Sequence, residues 1–438
     1  MCQTLFYIPE TFFGLPVFGV GWGLIFLAVI TALLIAVPKL RRQSPIGATL
    51  ATALIFAAVI VFVIPNLVEP QHGIPIRGYG FCLLLAIFCS LALVIHLAKP
   101  HHIPSESFFS LCLWTVICGV IGARIFYVTE YWQDMIIFDA AGNLRLPETL
   151  FGVINIANGG LVVFGSMIGG FAGAVFCMIR LKMPILATFD AMAPAMMLGL
   201  AIGRVGCFLN GCCFGGVCEL PWAVTFPAGS PAHIHQIEHG DIFYNGVKFK
   251  EAGGNVIIAE VQPDSEAARG GLEAGMPVRG IAGFVHSQEA LTVWNVVSVR
   301  ELVSLLQYLQ MVSPSKTVRF DIFSNPERTQ TQPRYVPQTL PTVLPVHPTQ
   351  IYSSLTALFI CGVLLILGRL PFYRPRAGLV FASFLMLYPA ARFLLEIIRT
   401  DEDSFLGTGL TVSQNMSIAV FMIGVVLFCV LAFKKMKS

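Results

Sequence analysis

Six ionisable residues stand inside apolar stretches of this sequence: Arg124 in GARIFY, Asp190 in ATFDAMAP, Arg204, and the trio Arg392, Glu396 and Arg399 in RFLLEIIRTDED. Such groups are costly in an apolar surrounding unless a partner or a ligand meets them, so they head the list of functional candidates. Within the trio, spacings of four, three and seven put all three side chains on one helix face, where Glu396 can pair with both arginines. A salt bridge joining helices would explain one pair. Two guanidiniums around one carboxylate leave positive charge over, however, and the matching anion is a phosphate, which the guanidinium fork grips with two parallel hydrogen bonds. Arg204 opens a second polar stretch, GRVGCFLNGCCFGG over 203–216. A step of three carries its helix face on to Cys207 and Asn210, so these polar groups point toward a packed interior near the end of an apolar run.

Eight of the twelve cysteines are scattered singly, mostly in apolar segments, where cysteine behaves as a small hydrophobe. Cys207, Cys212, Cys213 and Cys218 are different, because they cluster beside Arg204. They could form disulfides that pin a loop, bind a metal, carry a lipid transiently or remain inert thiols. HIHQIEH at 233–239 contains the H-x-x-E-H pattern of a zinc peptidase. It lies in a loop flanked by Pro and Gly, with no sign of the long helix that chemistry needs. The expectation is therefore no resident metal and no cofactor.

These residues must be positioned by membrane helices. The chain has 438 residues, 56% hydrophobic and 12% charged, with a mean hydropathy of +0.78, which excludes a soluble globular protein. Nine runs approach the length of about 20 residues needed to cross a bilayer: 18–37, 46–68, 79–98, 108–128, 160–180, 186–208, 350–368, 377–397 and 415–433. The first has no basic region before it and no small-residue cleavage site after it, so it is expected to be a retained helix. Basic residues crowd alternate loops: Lys39, Arg41 and Arg42, then Lys99, then Arg180 and Lys182, then Arg369, Arg374 and Arg376, then Lys434, Lys435 and Lys437. The other short loops hold little beyond Arg77, Arg145 and Arg399. Since basic loops stay in the cytoplasm, the N-terminus is expected outside and the C-terminus in the cytoplasm. A net charge of +3 then calls for no nucleic-acid partner. Gly165, Gly169 and Gly173 recur every four residues, as do Gly199 and Gly203, which lets helix backbones approach closely.

Between the sixth and seventh runs lies a polar stretch, 209–349, whose middle follows strand and short-helix patterns. NVIIAEVQPDSEAARGGLEAGMPVRGIAGF, then the amphipathic SVRELVSLLQYLQ and the alternating KTVRFDIF, resemble the PDZ domain family over about 252–325. That resemblance implies a small α+β insert that binds a peptide or protein ligand by adding a strand to its sheet edge, although the carboxylate-binding turn is not recognisable. The reading of the chain is then two additional N-terminal helices (1–74), a membrane core in two parts (75–235 and 341–438), an inserted extracytoplasmic domain (236–325) and a Pro-rich linker (326–340).

NGGLVVFGSMIGG, GRVGCFLNGCCFGG, HPTQIYSS and RFLLEIIRTDED, with IRGYG and GARIFYV before them, resemble the prolipoprotein diacylglyceryl transferases in order and helical position. The resemblance covers about 75–235 and 341–438. It implies a polytopic α-helical protein of the bacterial inner (cytoplasmic) membrane, with a seven-helix core. The activity it implies moves a diacylglyceryl group from phosphatidylglycerol to the lipobox cysteine thiol of a preprolipoprotein and releases glycerol phosphate. Breaking a C–O bond to phosphate calls for positive charge at the departing group, which acts most strongly where water is scarce. Arg204 and Arg392 are the expected catalytic arginines, with Tyr79, Arg124, Asn210, Gly211, Glu396 and Arg399 around the substrate.

The chain departs from the family pattern at three positions: Phe164 stands where a histidine is expected, Cys207 where an asparagine is, and Cys212 where an acidic residue is. His347 is the candidate replacement for the missing base, although a loop histidine capping a helix is the blander reading. Phe164 keeps open the alternative of a non-catalytic relative that binds phospholipid or lipoprotein and recruits partners through its insert. A membrane protease fails for want of a catalytic dyad in the spans, and a transporter because the charges gather at one end.

Overall fold

The computed structural model describes residues 4–17, 21–36, 73–136, 145–154, 160, 162–244, 246–252, 255–269, 271–278, 280–284, 291–295, 343–399 and 409–433, with isolated residues or pairs elsewhere. Its helices are α1 (Trp22–Ala36), α2 (Gly78–Ala98), α3 (Ser105–Glu130), α4 (Leu146–Ile154), α5 (Val163–Arg180), α6 (Ile185–Asn210), α7 (Pro231–Glu238), α8 (Thr349–Leu367), α9 (Leu379–Glu396) and α10 (Val412–Phe433). Among the described residues six of these, α2, α3, α6, α8, α9 and α10, are long and apolar enough to cross a membrane, whereas α1 and α5 fall short of that length. The expected span 46–68 lies mostly outside the described residues. Side chains such as Phe88, Leu113, Phe359 and Ile423 stand exposed on the long helices, which suits a lipid solvent and no aqueous one. The chain is a multi-pass α-helical membrane protein.

Backbone contacts divide the chain into two units, residues 84–204 with 349–438 and residues 1–83 with 205–348. In the first, α3 and α5 cross in backbone contact. A Cβ added at Gly122 would fall on Gly165 O, and one at Gly169 on Cys118 O. The expected glycine stripe on α5 is thus a packing surface. Gly199 meets Ser90, whereas Gly203 has nothing within 4 Å among the described residues and is no part of such a stripe. Two buried layers fill this unit: Val94, Phe108, Leu111, Met178 and Phe189 in one, and Met197, Ile360, Leu364, Val380 and Phe384 in the other.

Asp190, a candidate for chemistry in the sequence, has a structural task. Its Oδ2 accepts from Gly378 N–H at 2.6 Å and its Oδ1 from Phe381 N–H at 2.8 Å, so it caps the start of α9 from α6. The first N–H groups of a helix have no partner within it, and a carboxylate satisfies both that need and the positive end of the helix dipole.

The second unit carries the polar stretch. Strands β1 (Val247–Ala252), β2 (Asn255–Val261) and β3 (Pro277–Val278) form an antiparallel sheet in the order β1-β2-β3. Residues 280–284, 291–295, 318–319 and 334–335 supply the strands of a second sheet. Val247, Phe249, Val256 and Ile258 point to one core with Ile237, Ile242, Tyr244, Val299 and Leu302. That core begins before residue 252, because α7 and the turn after it supply Ile237, Ile242 and Tyr244. Most of the expected helix SVRELVSLLQYLQ lies outside the described residues.

Candidate functional site

In the unit formed by 84–204 and 349–438, the last turns of α9 gather the charges. Glu396 is buried and paired with Arg392 one turn earlier, and Arg399 Nε stands 3.9 Å from the same carboxylate oxygen, as the i, i+4 and i, i+3 spacing requires. Arg392 Nη2 also donates to Ser413 Oγ at 3.2 Å, which fixes its fork against α10. Arg204 and Arg399 both lie within electrostatic range of Arg392. Among the described residues, three guanidiniums thus share one neighbourhood with a single carboxylate. Arg204 Nε is buried and has no hydrogen-bond partner among the described residues. A buried donor without an acceptor costs about 1–3 kcal/mol, which an anion placed there would recover.

Arg124 differs. Its Nε donates to Val153 O at 2.8 Å, its Nη1 to Gly160 O at 2.9 Å and its Nη2 to Gly152 O, and its guanidinium lies over the Tyr127 ring, 5.1 Å from the centroid. The side chain therefore ties the end of α4 and Gly160 to α3. Phe164, at the start of α5, is exposed and can hold no proton.

In the other unit, the signature turn is built by the end of α6. Gly211 N–H donates to Phe208 O at 3.2 Å and Cys212 N–H to Cys207 O at 3.2 Å, the paired bonds that close a helix on a left-handed glycine. Gly211 has φ +76°, and an added Cβ there would stand 3.1 Å from the Phe226 ring, so only glycine fits. Asn210, the last residue of α6, reaches the Cys212 sulfur. Tyr79 lies on α2 opposite Gly206, whose missing side chain admits the Tyr79 backbone and ring.

His347 is carried to this turn by its backbone. Gly215 N–H donates to His347 O at 2.9 Å, His347 N–H to Gly216 O at 3.0 Å, and Val346 exchanges two bonds with Val224. Buried Gln236 holds the same returning segment: Nε2 donates to Leu344 O at 2.9 Å while Leu344 N–H donates to Oε1 at 3.0 Å. A side-chain amide here copies a strand pairing across 108 residues, which sequence inspection missed because it gives no local signal. The histidines expected in a loop lie on or at the end of the short α7, and among the described residues no zinc-peptidase arrangement accompanies them. Buried His233 accepts from Gly229 N–H through Nδ1 at 3.0 Å, the rings of His235 and His239 stack 3.9 Å apart, and among the described residues only Cys207, Cys212 and Cys213 have metal-ligand geometry.

The family model described as prolipoprotein diacylglyceryl transferase matches residues 65–430. A Rhodopirellula baltica protein named phosphatidylglycerol–prolipoprotein diacylglyceryl transferase is 34% identical over 96% of this chain and 87% of its own length. Proteins of that name from Clostridium perfringens (its second form) and Trichormus variabilis are 30% and 32% identical over 36% and 38% of this chain, and 58% and 56% of theirs. On these matches, and with the arginine cluster at the family's motifs, the chain belongs to the prolipoprotein diacylglyceryl transferase family.

Proposed function

We infer that this chain moves the diacylglyceryl group of phosphatidylglycerol to the thiol of a lipobox cysteine in lipoprotein maturation. The cysteine sulfur attacks the glyceryl carbon, a C–S bond forms, the C–O bond to phosphate breaks, and glycerol phosphate leaves with the electron pair. The observation that carries this reading is the gathering of Arg204, Arg392 and Arg399 around Glu396, three guanidiniums and one carboxylate among the described residues. Positive charge held in a buried site stabilises a departing phosphate more strongly than it would in water. Glu396 orients Arg392 and Arg399, and the carbonyl-bound Arg124 positions the backbone at Gly152, Val153 and Gly160. Asn210 and Gly211 shape the signature turn, Tyr79 contacts lipid, and His347 takes the thiol proton in place of a base at Phe164. A thiol with an ordinary pKa of about 8.5 is a weak nucleophile until deprotonated, so the step needs such a base or a positive field.

The bias of basic residues supports a cytoplasmic membrane location with the N-terminus outside. The three-stranded sheet and its core support a small α+β insert of PDZ type, and a peptide or protein ligand follows from that resemblance alone. Phe164 favours a second reading, a relative that binds phospholipid without transfer. Incubating the purified chain with phosphatidylglycerol and a lipobox peptide separates the two. Transfer adds a diacylglyceryl mass to the peptide thiol and releases glycerol phosphate. No product from the parent, with product from Phe164→His, would establish the non-catalytic reading.

A further inference from the structure

Three of the cysteines converge for a reason that the transfer reaction does not use. When a helix closes on a left-handed glycine with paired bonds, the residue two past the last helical position folds back over the residue three before it. In α6 those two positions are Cys212 and Cys207, joined by the Cys212 N–H to Cys207 O bond. The next residue, Cys213, has φ +58°, a left-handed conformation that costs a residue with a side chain about 1–2 kcal/mol. That turn brings in the third sulfur. The Sγ atoms of Cys207, Cys212 and Cys213 all lie within 4.8 Å of one another, and all three residues are part-exposed, so ions can reach them. Cys218 is not among them; its backbone N–H donates to Pro345 O at 3.0 Å.

We propose that Cys207, Cys212 and Cys213 form a binding site for one thiophilic divalent cation of the zinc class, with solvent in the fourth position. Zinc–sulfur bonds of about 2.3 Å in a tetrahedron set sulfurs about 3.8 Å apart, which the separations here, all within 4.8 Å, can accommodate. A disulfide would use two sulfurs and give no account of the third, whose placement requires the left-handed Cys213; strain of this kind persists where the surroundings or a ligand hold it. Charge argues the same way. The three thiols sit at the C-terminal end of α6, where the carbonyl dipoles disfavour bare thiolates and favour a cation. Each ligating thiol gives its proton to water, so one divalent cation binds with release of up to three protons and more tightly as pH rises. The bound cation would lock the turn that carries Asn210 and Gly211.

The full chain, purified in detergent with its thiols reduced, is titrated anaerobically with Co²⁺ and then with Zn²⁺. The expected result is a thiolate-to-cobalt charge-transfer band that saturates at one Co²⁺ per chain and is displaced by one Zn²⁺. The band is lost in Cys207→Ser and in Cys213→Ser and kept in Cys218→Ser. Alkylation followed by mass spectrometry gives a reading that tolerates a poorly folding variant: in the parent, Zn²⁺ should shield these three cysteines and leave Cys218 reactive. A parent that takes up no cation, loses the band in Cys218→Ser, or shows a Cys207–Cys212 disulfide whose reduction creates no cation binding overturns the proposal.

Discussion

Arg124 and the Arg392–Glu396–Arg399 group pose the same problem in the same unit, a guanidinium in an apolar helix, and answer it differently. Arg124 gives Nε, Nη1 and Nη2 to three backbone carbonyls and lies on an aromatic face. Among the described residues the second group sets its arginines around one carboxylate and one hydroxyl, with Arg204 near by and its Nε unpartnered. A charge in a span therefore has at least two uses. The structural pin and the proposed anion site differ in the groups their arginines meet, backbone carbonyls in one and a carboxylate and a hydroxyl in the other.

The largest effect should come from Arg392→Ala. Removing a donor that stabilises the departing phosphate costs about 10²–10³-fold in turnover, measured as diacylglyceryl transfer to a lipobox peptide. Arg204→Lys keeps the charge and loses the fork, and a loss of about 10-fold, near 1.4 kcal/mol, is expected, mainly in the affinity for glycerol phosphate. Activity at the parent's level in either variant would place the phosphate elsewhere.

Arg124→Met tests the other side of the comparison. It should lower thermal stability in detergent and speed amide exchange at Gly152 and Val153, with glycerol phosphate affinity changed less than by Arg204→Lys. Equal loss of affinity in the two variants would erase the distinction. Asp190→Ala, which removes the cap of α9, should cost stability by about 0.5–2 kcal/mol, read from the unfolding midpoint.

The smallest effect concerns pH in the other unit. Burial holds His233 below its ordinary value of 6.5. The unfolded chain therefore binds this proton first as pH falls, so His233 contributes stability that is fully present above about 6.5 and is lost below it. His233→Gln should flatten that acid limb in an unfolding series from pH 8 to 5. An unchanged limb would remove His233 as its cause.

The membrane helices were legible because bilayer thickness imposes a run length that composition reveals directly, and the pairing of Glu396 with two arginines followed from helical spacing alone. The end of α6 was legible as the end of an apolar run, but the left-handed Gly211 that closes it came only from the structure. Sequence could not show which arginine is already committed. The carbonyls that bind Arg124 lie 28 to 36 residues away, and Asp190 meets its N–H partners across 188 and 191 residues. Gln236 was likewise hidden within a histidine-rich string that suggested a metal, although its amide is what pairs with the returning chain. Such partners are set by tertiary packing, which leaves no periodicity to read.

The most direct test of the account is the binding of glycerol phosphate to the parent chain, to Arg204→Lys and to Arg124→Lys, by calorimetry in one detergent. The account predicts affinity about 10-fold weaker for Arg204→Lys, whose two-pronged contact is lost, and a smaller change for Arg124→Lys. The reverse order, or no binding by the parent, would contradict it.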